Sequence, residues 1–213
     1  MIAASLIGMT LVACAAPQQR EFVAPPSPCR PAVANWRALA TEDDRGRLRR
    51  WREAWTQALD QARAAGHGAD IAGEGALLEP DVALPGPLPP PGNYRCRTIK
   101  LGTPGDLLPY VSYPAFRCRI TAAGNDMRLV KLDGSQRPIG RLFADRPRRR
   151  VFLGTLRLGD ETRSQRYGVD RERDLAGLLE RVGESRWRLV FPFPHFESLL
   201  DVLELTPAQG SSR

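Results

Sequence analysis

Two segments in the second half of the chain alternate apolar and polar residues with a period of two. They cover residues 93–98 and 115–120, and both are built around the tripeptide Arg-Cys-Arg. In each segment an aromatic residue, Tyr94 or Phe116, stands two positions before the cysteine and therefore on the same side of an extended chain. A period of two is typical of a half-buried β-strand. The pattern predicts two neighbouring strands, each with one cysteine on its apolar face.

Six further segments show a similar strand-like pattern, separated by turn sequences such as Asp133-Gly134-Ser135. Residues 171–179 could instead form a short helix, which would leave seven strands. We predict an α+β, mainly β fold, in which an antiparallel meander of about eight strands closes into a small lipocalin-like β-barrel without exposed edges. A β-sandwich is the alternative. The six predicted strands are 127–132, 138–143, 150–158, 175–182, 187–193 and 199–205.

The clearest helical region lies before the strands, at residues 32–66. Thr41-Glu42-Asp43-Asp44 resembles a capping box, and Gly66 is a natural stop. Arginines on its other faces are predicted to be solvated, with contact to anionic lipid headgroups as the alternative. We predict that an apolar stripe packs on the β domain, because its two tryptophans favour burial. The stripe recurs at steps of three and four residues and consists of Leu48, Trp51, Trp55 and Leu59.

Proline and glycine divide the rest of the chain. Residues 14–31 are predicted to be a proline-rich tether, and 67–92 a Gly/Pro linker without secondary structure of any length. The helical segment 32–66 and the β domain 93–207 are the folded parts. Residues 208–213 are predicted to be a disordered tail.

Residues 1–13 are predicted to be a signal peptide, because the apolar run at the start is too short to span a bilayer. It ends in Leu11-Val12-Ala13-Cys14, which resembles the bacterial lipobox, whose cysteine is lipidated and becomes the new N-terminus. No Lys or Arg precedes the run, so a plain secretory peptide or a buried N-terminal segment is the alternative. We expect lipidation at Cys14. Because Ala15 rather than Asp follows, we expect a periplasm-facing outer-membrane lipoprotein of a Gram-negative bacterium.

Arginine dominates the charge of the chain. The 31 basic and 24 acidic residues give a net charge of +7, and 29 of the basic residues are arginine. Base composition can explain this excess, but guanidinium groups also bind carboxylate or phosphate in bidentate fashion. The expected envelope location argues against nucleic acid. The expected partners are the membrane, through the lipid anchor, and an envelope protein or an anionic glycan or lipid.

Several motifs together resemble a known bacterial family. They include Asn93-Tyr94-Arg95-Cys96-Arg97, the run Lys131-Leu132-Asp133-Gly134-Ser135-Gln136-Arg137, and Phe152-Leu153-Gly154-Thr155. In this order they are similar to a family of uncharacterised lipoproteins, domain of unknown function 4893, over roughly residues 36–207. The resemblance implies an envelope location and no assigned activity, and it carries over no catalytic residue.

The four cysteines allow one intrachain disulfide in the β domain. If Cys14 is lipidated, three cysteines remain in an oxidising compartment. We predict that Cys96 pairs with Cys118, which leaves Cys29 free or bonded to another chain. If the paired cysteines lie directly opposite each other, Arg95 faces Arg119 and Arg97 faces Arg117.

Such a register would place four guanidinium groups on one face of the sheet, where like charges repel. Nearby carboxylates are one way to neutralise them, with Asp126, Asp133 and Glu204 as candidates. The other is an anionic ligand. The candidate anion site therefore consists of Arg95, Arg97, Arg117 and Arg119.

Residues for enzymatic chemistry are scarce. The chain has two histidines, His67 and His195, and it lacks a Cys-x-x-Cys motif, a histidine pair and a glycine-rich phosphate loop. No metal or cofactor is expected. Glu161, Glu197 and Asp201 are the candidate carboxylates for a hydrolase. We expect a non-enzymatic binding or inhibitory module. The alternatives are a structural protein that docks through its tryptophan-bearing helix and a carboxylate-based hydrolase.

Overall fold

Nine antiparallel strands form the larger part of the computed structural model, which describes residues 35–86, 88–124, 126–159 and 161–208. From β3 onward each strand pairs with the next, and β1 pairs with both β3 and β9, so that eight strands close into a barrel. The predicted mainly β fold and closed barrel are confirmed. The strands are β1 Gly92–Leu101, β2 Tyr110–Ser112, β3 Phe116–Ala123, β4 Asp126–Lys131, β5 Gln136–Arg146, β6 Arg149–Leu158, β7 Asp174–Gly183, β8 Arg186–Pro192 and β9 Leu200–Pro207.

Two details of the strands differ from the sequence pattern. The short β2 was not predicted, and it pairs only with the C-terminal part of β1, where Leu101 faces Tyr110. Residues from Asp174 onward form β7, so the alternative of a helix over 171–179 is wrong. Between Arg171 and Arg173 the chain makes only a turn.

The barrel interior is filled by apolar side chains that alternate with outward-facing residues. Along β8, Trp187, Leu189 and Phe191 belong to the interior cluster, whereas Val190 packs outside against the helices. Tyr94 meets Trp187 edge to face, with ring centroids 6.2 Å apart. Fifteen buried residues form the interior cluster, and both Cys96 and Cys118 are among them.

Four short helices cover part of the outer surface. The single predicted helical region is divided by breaks at Ala40–Thr41 and at Arg50. Thr41 caps the second helix, since its side-chain oxygen accepts a hydrogen bond from the backbone N–H of Asp44 at 3.1 Å. The helices are α1 Trp36–Leu39, α2 Glu42–Arg49, α3 Trp51–Ala64 and α4 Gly68–Glu74, followed by a 3₁₀ turn at Gly75–Leu77.

The helices pack against the outer face of the barrel through two apolar clusters. Trp55 and Leu59 of α3 are buried with Val190 and Val202. Leu48 of α2 lies in a second cluster with residues of β5, β6 and β7. Trp51 is half-buried and touches both clusters. All four residues of the predicted stripe therefore lie against the barrel or beside it.

The segment 67–92 is not the structureless linker that its composition predicted. It contains α4 and the 3₁₀ turn, and Leu77 and Leu78 are buried in the same cluster as Trp55. Glycines at positions 68 and 73 lower the helix propensity of the isolated segment. Tertiary packing of its apolar residues overrides that local preference.

The predicted disulfide is confirmed, but the predicted register is wrong. Cys96 and Cys118 are bonded, with their Cα atoms 5.8 Å apart. Cys96 faces Phe116 and Cys118 faces Tyr94, so that the cysteines are diagonal neighbours on one face. Cα separations of about 4.4–6.8 Å accept a disulfide, so a cysteine pair is compatible with either register. Closing a loop with a sequence separation of 22 residues is worth about 3 kcal/mol.

Candidate functional site

The predicted arginine quartet does not form one open anion site. In the observed register Arg95 faces Arg117, and Arg119 faces Asn93. Arg97 donates to both carboxylate oxygens of Glu74, at 2.7 and 2.5 Å, and to Glu204 at 2.9 Å.

Arg117 and Arg119 also bind neighbouring side chains. Arg117 donates to Asp133 at 2.7 Å, and Arg119 donates to the side-chain oxygen of Asn93 at 3.1 Å. Asp126, the third candidate carboxylate, binds Arg141 instead, at 2.5 Å. The sequence-predicted carboxylates Asp133 and Glu204 therefore neutralise two of the four arginines.

Arg188, which lies outside the predicted quartet on the outer face of β8, is fully buried beneath the 3₁₀ turn. It donates to Glu180 at 2.8 and 3.0 Å. The same guanidinium group donates to the carbonyl oxygens of Leu77, Glu79 and Pro80 at 3.0, 2.6 and 2.8 Å. These bonds satisfy main-chain carbonyls that lack a helix or strand partner, so Arg188 holds the segment after α4 on the barrel. Its role is structural.

A groove on the outer surface is lined by residues of the helices and of the barrel, and we call it the Trp51 groove. It consists of two adjoining hollows of about 480 and 400 Å³. Both are lined by Trp51, Arg146 and Arg149. The helices form one wall and the turn between β5 and β6 forms the other.

Arginines surround the aromatic rings of this groove. Arg52 and Arg149 lie over the Trp51 ring, 4.9 and 4.4 Å from its centroid. Arg37 lies 4.3 Å from the centroid of Trp36. Cation–π contacts of this kind hold guanidinium planes in place while leaving their N–H groups free to donate.

The lining of the Trp51 groove carries a strong excess of positive charge. Seven arginines and two aspartates line it, which gives 7 − 2 = +5. Arg52 is bidentate to Asp81, and Arg149 binds Glu180. The seven arginines are Arg37, Arg45, Arg49, Arg52, Arg146, Arg148 and Arg149, and the two aspartates are Asp81 and Asp145.

Three of these arginines keep most of their donors available. Arg49 and Arg146 are exposed, and their nearest carboxylate contacts are long, at 3.5 Å to Glu42 and 3.8 Å to Asp145. Within the described ranges no carboxylate lies within 4 Å of Arg148, which is also exposed. An anion in the groove would meet several guanidinium groups at once.

The candidate hydrolase carboxylates are each bound to a cation. Glu161 binds Arg173, and its pKa is lowered by the backbone N–H of Leu158 and by Arg173, so it stays ionised at neutral pH. Glu197 and Asp201 share Lys100, at 3.4 and 3.1 Å. An ionised Glu161 is unsuited to act as a general acid.

The remaining candidates for chemistry are dispersed. His67 stacks on Tyr110 and lies 2.8 Å from Asp70, whereas His195 lies 3.7 Å from Asp43. In the part of the chain that the structure describes, no three His, Cys, Asp or Glu residues are grouped to hold a metal ion.

No helix within the described ranges is long and apolar enough to cross a membrane. The predicted lipidation site Cys14, Cys29 and the predicted tether lie outside the described residues.

Sequence reasoning missed the Trp51 groove because its two walls are about a hundred residues apart in the chain. The sequence predicts solvated arginines on the helical region, with contact to anionic headgroups as the alternative. The run Arg146-Pro147-Arg148-Arg149-Arg150 was the remaining signal. It places basic residues in a turn between two strands, but only the fold brings that turn to the helices.

Comparison with known proteins assigns a family and nothing further. A family model described as a domain of unknown function (DUF4893) matches residues 36–205. No curated protein and no solved structure matches the chain. The matched region begins at the first residue of α1 and ends within β9, so it covers the helices together with the barrel. The chain therefore belongs to the DUF4893 family.

Proposed function

We propose that this protein is a non-enzymatic, lipid-anchored envelope protein that binds phosphate-bearing lipid headgroups in the Trp51 groove. The observation that carries the proposal is the concentration of seven arginines and two aspartates around one half-buried tryptophan. An exposed cluster of like charges is unfavourable unless an anion shares it.

Phosphate chemistry suits the donors of the groove. The guanidinium group presents N–H donors in a planar fork that matches two oxygens of a phosphate. Arg49, Arg146 and Arg148 have such donors without a close carboxylate. The Trp51 ring adds an apolar surface, which suits the glycerol and upper acyl region of a lipid better than a free inorganic ion.

The place of the groove in the chain also favours a membrane ligand. Trp36 and Arg37, which line it, lie in the first helix of the folded unit and follow the predicted tether at residues 14–31. If Cys14 is lipidated, Trp36 and Arg37 follow the anchored cysteine closely in the chain. Basic residues near an anionic bilayer contribute about 1 kcal/mol each.

Docking of a protein through the tryptophan-bearing helix is less well supported. Trp55 and Leu59 are buried against the barrel, and Trp55 is only 1% exposed, so neither is available to a partner. Of the predicted stripe, Leu48 and Trp51 line the open groove, but Leu48 is buried and the Trp51 ring is covered by two arginines. The helix face that remains for a partner is therefore cationic rather than apolar.

Vesicle binding tests the proposal on the full chain. Co-sedimentation is compared between phosphatidylcholine vesicles and vesicles containing 30 mol% phosphatidylglycerol, because the predicted anchor contributes equally to both. We expect the anionic vesicles to bind more tightly, with a preference that falls as salt is raised. Replacing Arg146 and Arg148 by glutamine should weaken binding to the anionic vesicles roughly 10- to 30-fold, at about 1 kcal/mol for each arginine.

The matched control replaces Arg163 and Arg166, which are exposed and line no part of the groove. This variant loses the same net charge and should bind almost as the wild type does. Competition by soluble glycerol 3-phosphate distinguishes a headgroup site from a general attraction to the surface. Equal binding to the two vesicles, or an equal loss in the control variant, contradicts the proposal. Binding only to an acidic envelope protein would contradict it as well.

A further inference from the structure

The chain has only two lysines among its 31 basic residues, Lys100 and Lys131. Both are buried, and both line one pocket at the end of the barrel where β1 and β8 end and β9 begins. Every other basic residue is arginine. Lysine carries a compact ammonium group whose charge can change with its surroundings, whereas arginine stays charged. The two lysines therefore mark a site of a different kind from the Trp51 groove.

We call this space the mouth pocket. Lys131 follows the interior residue Leu129 by two positions, and Lys100 lies on the same face of β1 as Cys96, so both side chains lie on the inner side of the barrel wall. The pocket has a volume of about 100 Å³, several times the space that one water needs. It is lined by Thr98, Lys100, Tyr113, Phe116, Lys131, Ser135, Gln136 and Glu197.

The ammonium groups of the two lysines have different partners. Lys100 is bound to Asp201 and Glu197. Lys131 donates to the carbonyl oxygen of Gln136 at 2.8 Å and lies 3.9 Å from the centroid of the Phe116 ring. Among the described residues no carboxylate lies within 4 Å of Lys131. An ammonium group has three donors, so Lys131 has donors left for a ligand beyond its bond to Gln136, and the charge of Asp133 acts on it only from more than 4 Å away.

An apolar cavity adjoins the mouth pocket. It shares Thr98, Lys100 and Gln136 with the pocket and has a volume of about 30 Å³, room for about two water-sized groups. Its other walls are mostly apolar, formed by residues such as Leu156, Leu175, Phe191, Phe196 and Leu203. A ligand with a charged head and a short apolar tail matches this arrangement.

We propose that the mouth pocket binds a small organic monocarboxylate, whose oxygens accept hydrogen bonds from the Lys131 ammonium group and whose short tail enters the adjoining apolar cavity. A single negative charge matches the Lys131 ammonium group, which lines the pocket and has no carboxylate within 4 Å among the described residues. A phosphate dianion fits poorly, because Asp201 and Glu197 lie on the same side of the barrel and would repel a second negative charge. The ligand class is thus that of propionate and butyrate.

The conformation of the loop between β8 and β9, which lines the mouth pocket, is typical of a binding site. The only two described non-glycine residues with positive φ, Phe193 at 46° and Glu197 at 68°, lie in the loop between β8 and β9. Such conformations are costly, and they persist where the surrounding structure imposes them, commonly at binding sites. Glu197 lines the pocket and binds Lys100, while Pro194 and Phe196 of the same loop line the apolar cavity.

The experiment measures binding and the pKa of Lys131 together. Burial lowers the pKa of Lys131 to about 8; Asp133 and Asp201 oppose this shift, whereas Lys100 and Arg137 add to it. A bound carboxylate should raise this pKa, which NMR of the lysine side chains reports on the full chain with and without propionate. If only the charged amine binds, affinity for propionate should fall about tenfold between pH 7 and pH 9, because the protonated fraction falls from about 90% to about 10%.

Ligands and variants sharpen the result. Propionamide and inorganic phosphate should bind at least tenfold more weakly than propionate, and octanoate should bind no better than butyrate. Lys131→Met should abolish binding, and Lys131→Arg should retain it without the loss at pH 9. The control is Arg128→Met, which removes the same charge from an exposed position of the same strand. This variant should bind as the wild type does.

The wild-type titration keeps the proposal testable even if the variants fold poorly. An unchanged Lys131 pKa in 50 mM propionate would overturn it. So would equal affinity for phosphate and propionate, or binding that survives Lys131→Met. None of these measurements depends on vesicles, so failure of the Trp51 groove proposal and failure of this one can be told apart.

Discussion

Arg188 and Lys131 are both cations buried in the wall of the barrel, but they lie on opposite sides of it. Arg188 lies on the outer face, beneath the 3₁₀ turn, with one carboxylate and three close carbonyl oxygens as partners. Lys131 lies on the inner face, with one carbonyl oxygen and one aromatic ring. The outer cation is enclosed by its own chain, whereas the inner cation lines a pocket.

The comparison separates a structural buried charge from an available one. A buried charge is tolerated when hydrogen bonds and a counter-ion replace its hydration. Arg188 has both, and a guanidinium group stays charged in any case. Lys131 has no carboxylate within 4 Å among the described residues, and burial lowers its pKa more than the charges of Asp133 and Asp201 raise it. We expect the outer site to govern stability and the inner site to respond to pH and ligand.

The largest expected effect is at Arg188. Replacing it with methionine should lower the free energy of unfolding by about 3–5 kcal/mol, because Glu180 loses a buried partner and three carbonyl oxygens lose their donor. Urea denaturation of the full chain measures the change. Arg188→Lys should also destabilise, since one ammonium group cannot reach all of these acceptors.

A neighbouring arginine provides the control for that loss. Arg186 lies on the same face of β8 but is partly exposed and binds Glu204 at 2.6 Å. Arg186→Met should cost less than about 1 kcal/mol, as exposed ion pairs do. Equal losses at the two positions would mean that burial and the carbonyl contacts add nothing at Arg188.

The next effect is the pH dependence of stability that Lys131 imposes. Its pKa is about 8 in the folded protein and 10.5 in an unfolded chain. Between these values the unfolded chain binds more protons, so stability should rise with pH. From pH 7 to pH 9.5 the gain from this group should be about 2 kcal/mol. It is measured as the difference between the wild type and Lys131→Met, which cancels the titration of other groups.

The same measurement on Arg128→Met should retain the full pH dependence, because that variant keeps Lys131. A wild-type profile parallel to that of Lys131→Met would show that the amine is not held in an unfavourable environment. The contrast with Arg188 would then disappear. Propionate should flatten the wild-type profile as well, since it supplies the missing negative charge.

The sequence predicted the barrel because strand periodicity, turn residues and the arginine–cysteine segments all agree locally. It did not predict α4 and the 3₁₀ turn in 67–92, because Ile71, Leu77 and Leu78 gain their stability from packing with residues distant in the chain. The two candidate sites were missed for the same reason. Arg146 and Trp51 become neighbours only when the helices pack on the barrel, and Lys100 and Lys131 only when β1, β3 and β4 pair.

The smallest expected effect tests the register of β1 and β3, which differs between the prediction and the structure. Arg95 faces Arg117 in the structure, whereas directly opposed cysteines would have placed it against Arg119. Like charges directly opposite each other repel by a few tenths of a kcal/mol. A double-mutant cycle with Arg95→Gln and Arg117→Gln should therefore give a repulsive coupling of about 0.2–0.5 kcal/mol at low salt, which screening reduces at high salt.

The matched cycle pairs Arg95 with Arg119, which faces Asn93 and donates to its side chain. These two arginines are diagonal neighbours in the observed register, so their coupling should be smaller than that of Arg95 with Arg117. Asp133 binds Arg117 and reduces the repulsion, so Asp133→Asn should increase the first coupling and leave the second unchanged. A larger coupling between Arg95 and Arg119 would mean that the two strands pair two residues away from the register described above, with Cys96 directly opposite Cys118.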